Sequence, residues 1–296
     1  MKRHLVVGAH GQVGRHLVRA LAARGEPVVR AGRREPADLL LDLDRPETLP
    51  QALAGLRADI LWLCAAYTHV DGCEADPDRS RRINLDSPAV LARWAAASGC
   101  RVVFFSTDYV FDGRAGPYTE ADPPHPLSVY GRHKQAAEEV LAATLGPRAL
   151  VVRTAWVYSR DPGGTNFFEQ VRAALTAGRP LAVAADQFGN PTYAPDLVDA
   201  VLALVDRRAA GLFHVAGATV MTRAAFAEAI RAALGGPPDL IRPVATRDLG
   251  QRAPRPLRAG LVTTKLQAVV GFVPRPPEPV LAELARTASP ESPASS

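Results

Sequence analysis

The opening of the chain limits its fold more than any other stretch. Leu5-Val6-Val7 is a short apolar strand. Gly8-Ala9-His10-Gly11-Gln12-Val13-Gly14 follows, then a helical pattern from Arg15 to Arg24 with Val18, Leu21 and Ala22 on one side. Strand, glycine turn and helix in that order begin a βαβ unit that takes a dinucleotide. Gly8 allows the tight turn and Gly14 lets helix and strand pack closely. Gly11 lets the backbone approach a pyrophosphate at a helix N-terminus, where unpaired N–H groups and the dipole favour an anion. His10, Gln12 and Val13 lie in the same turn and count with it as candidate cofactor contacts.

The pattern then repeats. Pro27-Val28-Val29-Arg30 reads as a second strand. An NAD-specific chain often places Asp or Glu just beyond it, to accept from the ribose 2′-hydroxyl. Here stand Ala31-Gly32-Arg33-Arg34. Two guanidiniums suit a 2′-phosphate through bidentate, charge-assisted hydrogen bonds. The expectation is NADP(H) as preferred cofactor, with NAD(H) still open; two solvated surface arginines are the alternative. Leu39 to Leu43 reads as a third strand, on which Asp42 is either an acceptor for an adenine amino group or simply a polar strand end. A helix from Pro46 to Leu56 leads to the buried strand Asp59 to Cys64. Ala65, Ala66 and Tyr67 follow, small enough at the first two positions for backbone to lie against a cofactor. Arg79 to Ser98 is helical, with Asn84 as a polar residue that needs partners if buried. Arg101 to Phe105 is the fifth strand and Ala149 to Thr154 the next. Strands alternating with helices give an α/β fold, a Rossmann-type doubly wound parallel sheet.

The second half is mixed. Helices are expected over Asn166 to Ala177, Asp196 to Arg207, a Thr222-capped run to Leu234, and Val280 to Arg286. Asp186 to Thr192 reads as a turn, Gly211 to Val215 as a strand, and Pro237 to Pro256 as irregular. The expected division is a dinucleotide-binding domain over residues 1–157, with 191–216 returning to it. A smaller mixed C-terminal substrate-binding domain spans 158–296, ending in a Ser/Pro-rich disordered tail over 288–296.

The chemistry concentrates between Ser106 and Lys134. Ser106-Thr107 ends the fifth strand, and in open α/β sheets ligands bind beyond the carboxyl ends of strands. Gly113 to Leu127 is loop, and Ser128 caps a helix from Val129 to Leu145. Tyr130 and Lys134, four apart, share one face of it. A hydroxyl, a phenol and an ammonium can thus surround one carbonyl: Thr107 holds its oxygen, Tyr130 gives up a proton, and Lys134 lowers the phenol's pKa.

Composition excludes other classes. The formal charge of +5, from 35 basic and 30 acidic residues, is dispersed. That argues against nucleic acid as a partner. No apolar run reaches membrane-spanning length. Cys64, Cys73 and Cys100 have no redox or metal spacing, and no His/Cys/carboxylate cluster stands at ligand spacing, so no metal is expected. A reducing cytoplasm is the simpler setting. The sequence is compatible with a homodimer.

These motifs resemble the extended short-chain dehydrogenase/reductases, and within them the dTDP-4-dehydrorhamnose reductase family. The matching pieces are the glycine turn, Ala65 to Asp71, Ser106-Thr-Asp-Tyr-Val-Phe-Asp-Gly113, Pro117 to Glu120, Val129-Tyr-Gly131 with Lys134, Arg153 to Tyr158, Asn166-Phe167, Asp186-Gln187, Pro191 to Tyr193, and Arg255-Pro256 with Thr263 to Leu266. The resemblance implies an NADPH-dependent oxidoreductase acting on the C4 carbonyl of a nucleotide-linked 4-keto-6-deoxysugar. Tyr130 would be the general acid, Lys134 would also hold the nicotinamide ribose, and Thr107 would bond the sugar carbonyl. Thr68, Val70, Asp71, Thr107, Tyr109 and Trp156 would border the sugar. Three places depart from the family pattern: His133 and Ala137 on the helix, Ser159 to Gly164 after Tyr158, and Arg258-Ala259 near the tail. The resemblance extends to the regulatory β subunit of methionine adenosyltransferase, so an NADP-binding partner role is the competing reading, and a nucleotide-sugar epimerase another. A dehydratase would need an Asp-Glu pair after the Thr, and Asp108-Tyr109 lacks the Glu.

Overall fold

The computed structural model describes residues 1–161 and 164–286. The predicted tail over 288–296 lies outside the described residues. Its centre is a seven-stranded sheet. The strands are β1 His4–Val7, β2 Val28–Gly32, β3 Leu39–Leu40, β4 Ile60–Leu63, β5 Arg101–Thr107, β6 Ala149–Thr154 and a last strand Gly211–His214. In space they run Gly211–His214, β6, β5, β4, β1, β2, β3, all parallel. The order reverses between β1 and β4, which opens a crevice at their carboxyl ends. Leu5, Val7, Leu61, Leu63, Val102 and Phe104 face one apolar layer, and Val6, Ile60, Trp62, Val103 and Phe105 the other. Helices cover both faces, as an all-parallel sheet requires.

The glycine turn is dictated by contacts. Gly8 has φ +87°, and a side chain there would reach within 2.7 Å of the Ala65 backbone. A Cβ on Gly14 would collide with the Gly8 carbonyl. The helix α1, Gln12–Ala23, therefore starts earlier than its apolar periodicity suggests.

Several boundaries differ from expectation for identifiable reasons. The third strand is only Leu39–Leu40, so Asp42 is not a strand end; its carboxylate accepts from the Asp44 amide at 3.0 Å. The Pro46 to Leu56 helix is a 3₁₀ turn, Pro46–Thr48, followed by a short helix, Leu49–Ala52. The fifth strand carries Ser106 and Thr107 inside it. Within the Arg79 to Ser98 helix, Arg82–Asp86 widens into a π-helical turn that buries Asn84. The Pro-rich run contains a strand, Ile241–Val244, paired in parallel with Leu181–Ala184. Pro243 is tolerated because that strand has one neighbour only. The Ser128-capped helix, Val129–Leu145, matches its expected bounds.

A separate apolar cluster forms around Tyr158, Phe168, Val171, Phe226, Ile230, Ile241 and Leu281. Behind β5 and β6 a buried ion pair joins Glu138 to Arg153, with Nη2 to Oε2 at 2.6 Å; Ser106 Oγ donates to the same carboxylate. Removing one partner strands the other charge in the core, a loss of about 3–5 kcal/mol. Arg153→Met should therefore lower the denaturant midpoint sharply, and adding Glu138→Gln should restore part of the loss. Equal unfolding midpoints for wild type and Arg153→Met would contradict this.

Candidate active site

The site lies at the carboxyl ends of β5 and β4, beside the glycine turn. Ser128 accepts from the Gly131 amide and fixes the start of the Val129–Leu145 helix. That sets Tyr130 and Lys134 against β5. Thr107 stands close enough to Tyr130 to bear on its phenol. Thr107 Oγ1 also accepts from the Tyr109 amide at 3.2 Å and donates to Asp108 Oδ1 at 3.1 Å. Lys134 is 1% exposed; Nζ donates to the Phe105 carbonyl at 2.8 Å and lies 3.8 Å from the Phe104 ring centroid.

Burial dominates the electrostatics here. Desolvation pushes Lys134 down to about 7, with Glu138 pulling the other way. It pushes Asp108 up to about 7, against hydrogen bonds from Thr107 and the backbone and the charge of Arg223. It pushes the Tyr130 phenol up as well; the Thr107 hydroxyl opposes this. The expected lowering of Tyr130 by Lys134 is thus reversed. The ammonium is turned to a backbone carbonyl, and the phenol is enclosed by Tyr67, Val70, Cys73 and Tyr109, which pack with it.

The other predicted residues divide. Ala65, Ala66 and Tyr67 lie half-buried beyond β4, opposite Gly8. Asn84 pins this segment: the Tyr67 amide donates to Oδ1 at 2.9 Å and Nδ2 donates to the Tyr67 carbonyl at 3.0 Å. His133, one of the departures, joins the same network through Ser80 Oγ at 2.9 Å, and Ser80 accepts from Asn84 at 3.3 Å. Tyr109 stands edge-on to Tyr130, ring centroids 5.9 Å apart. Asp71 is paired with Arg255 at 2.9 Å and also accepts from the Ala253 amide. Thr68 is exposed. Trp156 has φ +43°, an arrangement costing about 1–3 kcal/mol for a bulky residue. Its indole fills the space a side chain on Gly189 would need. Leu43 belongs to the core, and its carbonyl accepts from Ser87 at 2.7 Å.

A dinucleotide fits the residues at the glycine turn. Gly11 caps α1 without a side chain and no acidic residue stands in the first turn, so its leading N–H groups stay available to an anion. His10 and Arg33 and Arg34 are exposed beyond β1 and β2, and neither arginine has an ion-pair partner among the described residues. Gln12 donates to Ser159 Oγ at 3.0 Å, so the departure after Tyr158 ties the turn to the far side of the cleft. The carboxylate of Asp161 pairs with Arg15 in the same way.

One description of a protein family, the RmlD substrate binding domain, matches residues 1–289. The chain belongs to this family. The RmlD relatives include a dTDP-4-dehydrorhamnose reductase of Mycolicibacterium smegmatis, 36% identical over 92% of this chain and 81% of that protein. Among solved structures, a dTDP-4-dehydrorhamnose reductase of Clostridium acetobutylicum superposes with a TM-score of 0.88 at 31% identity, covering 96% of this chain and 99% of that one. The Bacillus anthracis dTDP-4-dehydrorhamnose reductase, solved in complex with NADP, gives 0.87 at 28% identity, with 97% and 99% covered. No helix among the described residues is long and apolar enough to cross a membrane, and no group of residues there could hold a metal ion.

Sequence reasoning passed over Asp108, Arg223 and the role of Arg255 within the RmlD cleft. Asp108 is 2% exposed and its Oδ2 has no partner. Its unfolded form ionises near pH 4, whereas the folded form holds its proton to about 7. Between those values the unfolded chain binds fewer protons, so stability falls as pH rises. Asp108→Asn, uncharged in both states, should gain stability relative to wild type from pH 4 to 7, read as diverging unfolding curves. Parallel curves would show that Asp108 is ionised in the fold.

Proposed function

We propose that this chain is an NADPH-dependent dTDP-4-dehydrorhamnose reductase of dTDP-rhamnose (deoxysugar) biosynthesis. It would turn the C4 carbonyl of a nucleotide-linked 4-keto-6-deoxysugar into an alcohol. The observation that carries this reading is the convergence of Thr107, Tyr130 and the buried Lys134 at the end of β5, beside the glycine turn. When bound, NADPH supplies the hydride that reaches the carbonyl carbon.

The remaining steps belong to the chain. Thr107 and Tyr130 offer hydroxyls to the carbonyl oxygen. Reduction needs a protonated acid, and the raised phenol of Tyr130 keeps its proton until charge develops on that oxygen. The proton then passes from the phenol to the new alkoxide. Lys134, turned by a rotamer from the Phe105 carbonyl, would restore the proton and hold the nicotinamide ribose. Gly8, His10, Gly11, Gln12 and Val13 would hold the pyrophosphate, and Arg33 and Arg34 the 2′-phosphate. Ala65, Ala66 and Tyr67 would line the nicotinamide side, with backbone at Asp42 and Leu43 near the adenine. Thr68, Val70, Asp71, Tyr109 and Trp156 would enclose the sugar. We assign residues 1–157 with 191–216 to cofactor binding and 158–296 mainly to the sugar. The setting would be the cytoplasm, in keeping with three free cysteines.

The direct test is loss of nicotinamide absorbance on mixing the protein with NADPH and the dTDP-linked ketosugar; tight NADPH binding without turnover would sink the reading. Tyr130→Phe should keep NADPH affinity and lose activity on the order of a hundredfold or more, the scale of a general acid. Near-normal turnover in that variant would remove Tyr130 from the chemistry. Replacing Arg33 and Arg34 together by Ala should weaken NADPH far more than NADH in binding titrations. Equal weakening would leave the 2′-phosphate contact without support.

A further inference from the structure

One cation in the cleft has no use in hydride or proton transfer. Arg223 opens the Arg223–Ala233 helix, and its guanidinium carbon lies 4.7 Å from the Trp156 ring centroid and 4.0 Å from that of Phe167. Among the described residues no carboxylate pairs with it and no acceptor takes its hydrogens. Arg153 and Arg275, by contrast, each have a carboxylate partner, Glu138 and Asp196. Stacking on two rings leaves the five N–H donors of a guanidinium unused at its edge.

A second guanidinium stands nearby. Arg255 has one edge on Asp71, while its Nη1 is buried with no partner. Its carbon lies 5.9 Å from the Tyr109 ring centroid. Both arginines act on Tyr109, and each repels the other's charge. Burial holds the neighbouring Asp108 toward its neutral form, and the Asp71 carboxylate is paired with Arg255, not with Arg223. A guanidinium with no carboxylate partner and a set of unmet donors remain, which is the recognition chemistry of a phosphate group. Tyr109 is flanked by Tyr130 and by Arg255, so a sugar carbonyl at Tyr130 and an anion at the arginines lie one aromatic ring apart.

We propose that Arg223 and the free Nη1 edge of Arg255 clamp the diphosphate of a nucleoside-diphosphate sugar, setting its ketosugar against Tyr130. This rests on the reductase reading for the direction in which the sugar points. The clamp itself requires only a nucleoside diphosphate. A phosphate held on Arg223 also explains why that guanidinium is kept between two rings: the aromatic faces orient the fork without competing for its hydrogens.

The test uses the full chain saturated with NADPH, which fills the cofactor's own pyrophosphate site. Binding of dTDP, and competition by inorganic pyrophosphate, are measured for wild type, Arg223→Met and Arg223→Lys. Met keeps an unbranched stem against the rings and removes the charge. The clamp predicts that dTDP and pyrophosphate both weaken about tenfold or more in Arg223→Met, the scale of a charge-assisted hydrogen bond, with NADPH affinity unchanged. Lys, a point charge without the fork, should lose less. Unchanged dTDP affinity overturns the clamp. So does weaker dTDP with unchanged pyrophosphate, which would make Arg223 a stacking contact for the base or sugar. Should Arg223→Met fail to fold, Arg223→Lys decides alone: a several-fold loss of both ligands supports the clamp and no loss overturns it. A wild type that binds both anions through Arg223 but turns over no ketosugar keeps the clamp and loses the reductase. Turnover with anion affinity indifferent to Arg223 does the reverse.

Discussion

Desolvation sets the character of this cleft. Lys134, Asp108 and Tyr130 sit at the end of one strand, sealed by residues from several elements, and each is driven toward its neutral form. The direction is opposite for the base and the two acids, as a low-dielectric site demands. An ionised triad would need three partners in a place that has few. Neutral groups ask for less: Lys134 donates to the Phe105 carbonyl and Thr107 to Asp108 Oδ1, and the unpartnered Asp108 Oδ2 costs less uncharged than ionised. Charge then has to arrive with the reactants, which is a favourable way to arrange a proton donor that must wait.

The scaffold achieves this by holding loops rather than by lengthening strands. Asn84, pushed inward by a π-helical turn, takes both backbone groups of Tyr67. Such single-turn widenings recur at functional sites because they aim one side chain where a regular helix would not. Ser80 and His133 extend the network to the helix that carries Tyr130. His133, a departure from the family pattern beside Lys134, is therefore accommodated by a hydrogen bond to Ser80. On the other side of the cleft, Gln12 and Ser159 join the glycine turn to the segment after Tyr158.

Much of this was legible in the sequence because it was local. The strand–turn–helix at the start, the Ser128 cap and the bounds of the helix from Val129 to Leu145 follow from residue types a few positions apart. The need of Asn84 for partners was legible too, though not which partners. What the sequence hid depends on distant neighbours. The phenol of Tyr130 is raised by surroundings supplied from Tyr67 to Cys73 and from Tyr109, none of which its own helix announces. Ile241–Val244 reads as broken by Pro243 until Leu181–Ala184 is seen to need it as a single partner. Arg223 looks like the polar first residue of an alanine-rich helix. Nothing local says that two aromatic rings from elsewhere will take its faces and leave its hydrogens unmatched.

The backbone of Trp156, held in the left-handed region with its indole over Gly189, ties two distant positions into one unit. Enlarging residue 189 evicts the indole, and losing the indole uncovers the guanidinium of Arg223. Drift at either position alone is closed off, so any descendant with a differently shaped sugar pocket would have to exchange both residues together.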